Sequence, residues 1–405
     1  MKAVDIQSYL NEFKDYDIRS TKDARFVDQK CTPDIVCFIS DCILSTSCAN
    51  KSFTCNDLWD EPYFEKSSRI VFRKPSPNNP EAKNEYNKVL CQPLKLLAYA
   101  HVLDVSKIKG VLTFNVRNRD LLEYIATKER NAYNFLLLFF TKVLKDSDLL
   151  RLFDEYEENV QRACGATPII KRAKATIYEK YHKFISGNTP SQSKTDVDRI
   201  FHKVFNVICY DRMLPGSKYK INDWYDLMYN RINWRDLGNN KDKGITRQES
   251  KKVEEQALND NVYIEYQIAK ACRLVHKMQG STSEVSDELA RGVATEVHHI
   301  FPKSQFPELA LFFENLILLT SSQHRQKAHP KSNFAYIDDE YQLLCLLSKS
   351  KTIEKYLSKI DNGFYSKENF IYVINSGLDK EQIKDANISF DDIRKYLVGY
   401  YNTYI

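Results

Sequence analysis

Eleven glycines are spread over 405 residues, and with twelve prolines they make 23 residues that can punctuate the chain. Glycine and proline terminate elements and build tight turns, and an average chain carries about 12% of the two together. A sequence with roughly half that share favours long helices over turn-rich β architecture. The closest pair, Gly238 and Gly244, has five residues between its members and Ile245 after it. Neither a GxxxxGK[ST] loop nor a GxGxxG turn can therefore be built, so P-loop hydrolysis, kinase chemistry and dinucleotide binding are excluded and no nucleotide cofactor is expected.

Net charge is only +5, but its distribution is uneven: residues 161–220 carry +8 and residues 251–405 carry −2. Nucleic-acid binding needs a local patch rather than a global excess, so 161–220 is the first partner hint. Within it Lys171, Arg172, Lys174, Lys180 and Lys183 surround Tyr178 and Tyr181. Cations among tyrosines can neutralise phosphates while the rings pack on sugars or bases, and the same run can equally be a solvated helix face. The ten cysteines include no CxxC pair and read as reduced, buried thiols. The N-terminal residues carry early acids and no apolar leader core, and the longest apolar run, 135–140, is far short of a membrane span. The expectation is a cytoplasmic protein with no membrane partner.

The length suits two or three domains, and the element pattern suggests three: 1–128, 129–252 and 253–405. Thr32-Pro33-Asp34 and the apolar stripe behind it predict a helix to about Ser45. Thr54 and Asp57 open a short helix, and a long helical pattern runs to about Leu103, interrupted at Pro93. Residues 105–116 around Lys109-Gly110 predict a β-hairpin, and Asn118 caps the next helix. Helices, a two-stranded wing and a helix make the element order of a winged helix-turn-helix, a DNA-binding arrangement. Residues 129–160 read as amphipathic helices, 187–193 as a loop and 241–252 as the linker before the last domain.

Half of the eight histidines, His298, His299, His324 and His329, fall within 32 residues. The stretch reads Glu296-Val297-His298-His299-Ile300-Phe301-Pro302, then Asn315 to Thr320, then Ser321-Ser322-Gln323-His324-Arg325. Locally this is a strand over 295–301, a second strand over 316–320, and a short helix capped by Ser321 or Ser322 and ended by Pro330. The two adjacent histidines face opposite sides of their strand, so one side chain suits a metal and the other a proton. A phosphodiester needs both, a nucleophile and a cation for the charge that develops on oxygen.

This pattern resembles the HNH, or ββα-metal, nuclease motif over about 35 residues. More loosely, the whole chain is similar to HNH-type restriction endonucleases of bacteria. The resemblance implies a C-terminal ββα-metal domain; with the element order above, the expected fold is mainly α with small β elements, a helical, winged-helix-like N-terminal region before that domain and extra helices around it. It implies His299 as general base, His298 and His324 as metal ligands, Asn315 as the residue that ties loop to strand, and Glu296 as an outer partner of the site. His329 lies five residues after His324, rotated about 140° on an ideal helix, where relatives carry a ligand at the fourth residue, here Ala328. His329 is thus a weak ligand candidate, helix termination being its alternative; Arg325 and Lys327 read as phosphate contacts or as solvated charges. Leu319 and Gln323 stand near where many members carry zinc-binding CxxC pairs, so helix packing is expected to hold the site.

The implied activity is hydrolysis of duplex DNA at a specific sequence, leaving 5′-phosphate and 3′-hydroxyl ends. It would use one divalent ion, Mg²⁺ as the most available and Mn²⁺, Zn²⁺ or Ni²⁺ as alternatives, in a homodimer on DNA, with a cognate DNA methyltransferase as system partner. A modification-dependent or homing-type endonuclease is the enzymatic alternative. A DNA-binding regulator stabilised by a structural metal is the non-enzymatic one.

Overall fold

The computed structural model describes residues 3–14, 16–72, 76–78, 80–229, 261–330, 337–359, 363–378, 383–385 and 387–404. The protein is mainly helical with small sheets, as the scarcity of turn residues predicts. Two compact units are formed, Met1–Leu258 and Asn259–Ile405. The expected start of a last domain at 253 lies close to this division, whereas the border expected at 128/129 falls inside the first unit. The linker expected at 241–252 lies outside the described residues.

The first unit contains α1 (Ala3–Asn11), α2 (Ile18–Thr21), α3 (Pro33–Leu44), β1 (Phe53–Thr54), α4 (Cys55–Trp59), α5 (Pro62–Phe72), α6 (Pro80–Tyr99), β2 (Leu103–Ile108), β3 (Val111–Val116), α7 (Arg119–Thr127), α8 (Glu129–Asp146), α9 (Leu150–Arg162), α10 (Thr167–Asn188) and α11 (Lys194–Asp211). Proline opens α3, and eleven of its twelve residues, all but Leu44, are buried. It is the central helix, with α6, α7 and α8 packed on it. That packing is why the chain does not part at residue 128. Pro93 does not interrupt α6; it is buried within a helix that runs on to Tyr99 and ends where His101 turns left-handed at φ 57°. The hairpin forms where expected because Lys109 and Gly110 both take positive φ, 50° and 87°, the geometry of a two-residue turn that follows strand twist. β1 joins its far side, giving the antiparallel order β1-β3-β2.

The second unit begins with α12 (Asn261–Gln279) and continues with β4 (Ala294–His299), β5 (Leu316–Thr320), α13 (Ser321–Gln323), α14 (Asp339–Lys359), α15 (Lys367–Gly377) and α16 (Phe390–Tyr404). β4 and β5 form an antiparallel ribbon in which His298 faces Ile317 and His299 faces Leu316. All five residues of β5 are buried, so it reads as a continuous apolar run rather than an alternating strand. Its side chains join α12, α14, α15 and α16 in one apolar core. Two close fits lock the ribbon into that core. A Cβ at Gly377 would lie 2.5 Å from the Phe301 ring, so α15 can approach only as glycine. Glu284 accepts from Leu318 N at 2.9 Å and pairs with the fully buried ammonium of Lys349 at 2.9 Å.

Candidate metal centre

The strand carrying Glu296-Val297-His298-His299 is β-prone, and its pleat sends neighbouring side chains to opposite faces. His298 turns toward α13 and the turn behind it. There its ring centroid lies 5.1 Å from that of His324 and 4.9 Å from that of His329, which are themselves 5.0 Å apart. One ligand nitrogen from each of the three lies within 4.8 Å of the others. His298 and His329 are buried and His324 is half-buried, so one edge of the triangle is open.

The helix is not built as expected. Thr320, rather than Ser321 or Ser322, is the cap: its hydroxyl accepts from Gln323 N while Gln323 Oε1 accepts from Thr320 N at 3.0 Å. The Thr-Ser-Ser-Gln sequence is a capping-box pattern and carried that signal. The chain then leaves α geometry for a π turn over His324–Ala328, in which His329 N donates to His324 O at 3.2 Å. An i→i+5 bond brings the fifth residue back over the first, where an α-helix would have rotated it away. His329 is thereby placed in the cluster, correcting the weak role that ideal helix spacing assigns it.

Three imidazoles in mostly dry surroundings fit a cation. Burial first, then the neighbouring His324 and His329, holds His298 well below its ordinary pKa, and burial lowers His324 as well. Neutral rings present lone pairs, as metal ligation requires. His298 Nε2 meets His329 Nε2 at 2.9 Å, and the buried His298 Nδ1 has no hydrogen-bond partner. Imidazole–metal bonds of about 2.0–2.1 Å separate ligand nitrogens by roughly 3.3 Å in a tetrahedron, so small ring rotations close this set on one ion. Glu296, on the same strand, accepts from Ser321 Oγ at 3.1 Å, and its charge acts on His324.

His299 lies on the opposite face. Its Nε2 is 3.1 Å from Ala310 O, and a carbonyl only accepts, so Nε2 carries the hydrogen and Nδ1 the basic lone pair. Burial lowers its pKa too, which keeps the ring neutral and able to take a proton. Asn315, with no exposed surface, accepts from Phe301 N at 2.8 Å and donates to Phe301 O at 3.0 Å and Leu309 O at 3.2 Å. The loop after β4 is thus tied to the start of β5.

Helix packing is supplemented by a hydrogen-bonded staple at Gln323. Besides capping α13, this buried amide accepts from Ser283 Oγ at 2.6 Å and donates to Val285 O and Asp287 Oδ1, both at 2.9 Å. The Gln323 side chain thus joins Ser283 and Glu284, which bond Leu318, in holding residues 283–287 on the ribbon, and its tertiary partners have no local signature in the sequence. Arg325 is exposed, and Lys327 pairs with Glu288 at 2.7 Å.

In the first unit the basic run lies along α10. Lys171, Arg172 and Lys183 are exposed. Lys174 donates to Ser217 O at 2.9 Å and stands 4.7 Å from the Tyr219 ring centre, and Lys180 pairs with Glu155. Tyr181 is fully buried and so not available to bases, and the half-buried Tyr178 packs edge-on against Phe201 at 5.3 Å. At helical spacing they belong to the apolar stripe rather than to the charged face. No family model, curated protein or solved structure matches the chain.

Proposed function

We propose that the protein is a metal-dependent deoxyribonuclease of the HNH type, cutting duplex DNA at a specific sequence in a restriction system. The observation that carries this reading is the division of labour across β4. Three imidazole ligands gather on one face, while on the other a neutral imidazole is oriented through its Nε2–H. His298, His324 and His329 would hold the ion, leaving positions for water and phosphate oxygen. When bound, the ion supplies charge stabilisation for the phosphorane oxygens and the leaving oxygen. His299 Nδ1 takes a proton from water as the water oxygen bonds to phosphorus; the P–O3′ bond breaks, and the 3′ oxygen takes a proton from solvent. The products are a 5′-phosphate and a 3′-hydroxyl.

An all-imidazole donor set suits Zn²⁺ or Ni²⁺ better than Mg²⁺ or Mn²⁺, which prefer oxygen ligands. One site cuts one strand, so duplex cleavage calls for a homodimer on a two-fold target or successive nicks. Lys171, Arg172 and Lys183 on α10 and the winged-helix-like order of helices and hairpin in the first unit support DNA as partner. The test is incubation with phage DNA and each divalent ion: discrete fragments are expected from the native protein, and none from His299→Ala, which should retain DNA affinity. Intact DNA under every ion would overturn the enzymatic reading. It would favour a DNA-binding regulator with a structural metal, a role that the low exposure of His298 and His329 also suits.

A further inference from the structure

The segment leaving His299 has four backbone polar groups in its next two residues, all in the core, and each has a partner. Ile300 N donates to Asn315 O at 2.8 Å, and Phe301 N and O are both met by the Asn315 side chain. The fourth, Ile300 O, is met by Gln342 Nε2 at 2.7 Å, from α14. Because a carbonyl can only accept, this contact sets which end of the Gln342 amide faces the strand. The other end, Oε1, accepts from Tyr401 Oη of α16 at 2.7 Å, so the amide is held from both sides within the core. Gln342 N also accepts its place from the same neighbourhood: it donates to Asp338 O at 2.7 Å, and Asp338 N donates to Ala328 O at 3.1 Å, one residue before His329.

We propose that Gln342 is a positioning residue for His299, completing with Asn315 the set of bonds that fixes the peptide behind the general base. Asn315 holds three of the four groups, including Ile300 N in the peptide that directly follows His299, and leaves the Ile300 carbonyl, which belongs to the second peptide after His299. Without Gln342 that buried carbonyl loses the bond that holds it, and the His299 ring turns with its backbone. Misplacement by a fraction of an ångström at a base acts on turnover rather than on binding. Tyr401 acts one step further out, by keeping the amide from inverting.

The inference rests on the nuclease reading for its kinetic arm, and a second arm is independent of activity. In the full-length protein, Gln342→Leu removes both bonds, while Gln342→Glu keeps an acceptor for Tyr401 and removes only the donor to Ile300. Both are expected to lower kcat about 10- to 100-fold with KM for DNA changed by less than about twofold. In protein labelled with ¹³C in its histidine rings, both should shift the His299 resonance and leave those of His298, His324 and His329 in place. Wild-type turnover in Gln342→Glu, or an unmoved His299 resonance, would overturn the proposal. So would displacement of all four resonances together with a lowered melting temperature, since that marks a brace for the whole unit. If the native protein cuts no DNA, the nuclease reading fails and the His299 resonance alone decides the role of Gln342.

Discussion

Replacing Asn315 tests how firmly the loop behind His299 is held. The side chain is fully buried and makes three hydrogen bonds, of 2.8, 3.0 and 3.2 Å. A net contribution of about 1 kcal/mol for each bond gives roughly 3 kcal/mol for Asn315→Ala, and the desolvated N–H and C=O of Phe301, which both lose Asn315, raise this to about 3–5 kcal/mol. Asn315→Asp is the sharper perturbation. It keeps shape and the acceptor for Phe301 N, but sets a fully buried carboxylate oxygen against the carbonyls of Phe301 and Leu309. It should therefore cost at least as much as alanine. Hydrogen exchange of peptides covering 294–320 should accelerate by a factor corresponding to about 3–5 kcal/mol, roughly 10²- to 10³-fold or more. A loss below about 1 kcal/mol in that segment, or an aspartate variant as protected as the native protein, would refute the account of how the loop is tied.

Three further outcomes follow from the same geometry. His329→Ala should weaken divalent-metal affinity about as much as His298→Ala, measured by calorimetric titration; native affinity would return His329 to a helix-ending role. Glu284→Gln leaves the Lys349 ammonium buried without its carboxylate and should cost about 3–5 kcal/mol in the second unit, partly recovered by Lys349→Met in the same chain; hydrogen exchange there checks it. Burial holds His298 and His299 below their ordinary pKa, so between their folded values and about 6.5 the unfolded chain binds protons that the folded one does not. With metal chelated, stability of the second unit should accordingly be full above about pH 6.5 and fall as pH drops, by up to about 1.4 kcal/mol per pH unit for each such histidine. A second unit equally stable at low pH by urea unfolding with hydrogen exchange would contradict that burial.

What local sequence could specify, it did. A Lys-Gly pair can occupy two positive-φ positions, so the β2–β3 hairpin stood at its turn. The apolar runs that became β4 and β5, and the residues Asn315 and His324 in register behind His298, needed only short-range rules. Pro93 was misread because the rule that proline breaks helices describes the isolated helix, while the packed core around α6 outweighs one missing hydrogen bond. Tyr178 and Tyr181 were misassigned for a related reason: composition groups them with the lysines beside them, but helical phase groups them with Phe201.

The chemistry-bearing residue types and their rough order were therefore legible in the sequence alone, because strand pleat, capping and turn preferences act over a few residues. Membership of the histidine cluster and the bracing behind His299 were decided by tertiary structure. His329 enters the cluster only because the turn after α13 closes with an i→i+5 bond, a choice between two backbone geometries that local propensity does not separate. Gln342 meets the Ile300 carbonyl from 42 residues further along the chain, and Tyr401 orients Gln342 from 59 residues beyond that. A buried polar group must find a partner wherever the fold brings one, and sequence distance places no limit on where that is.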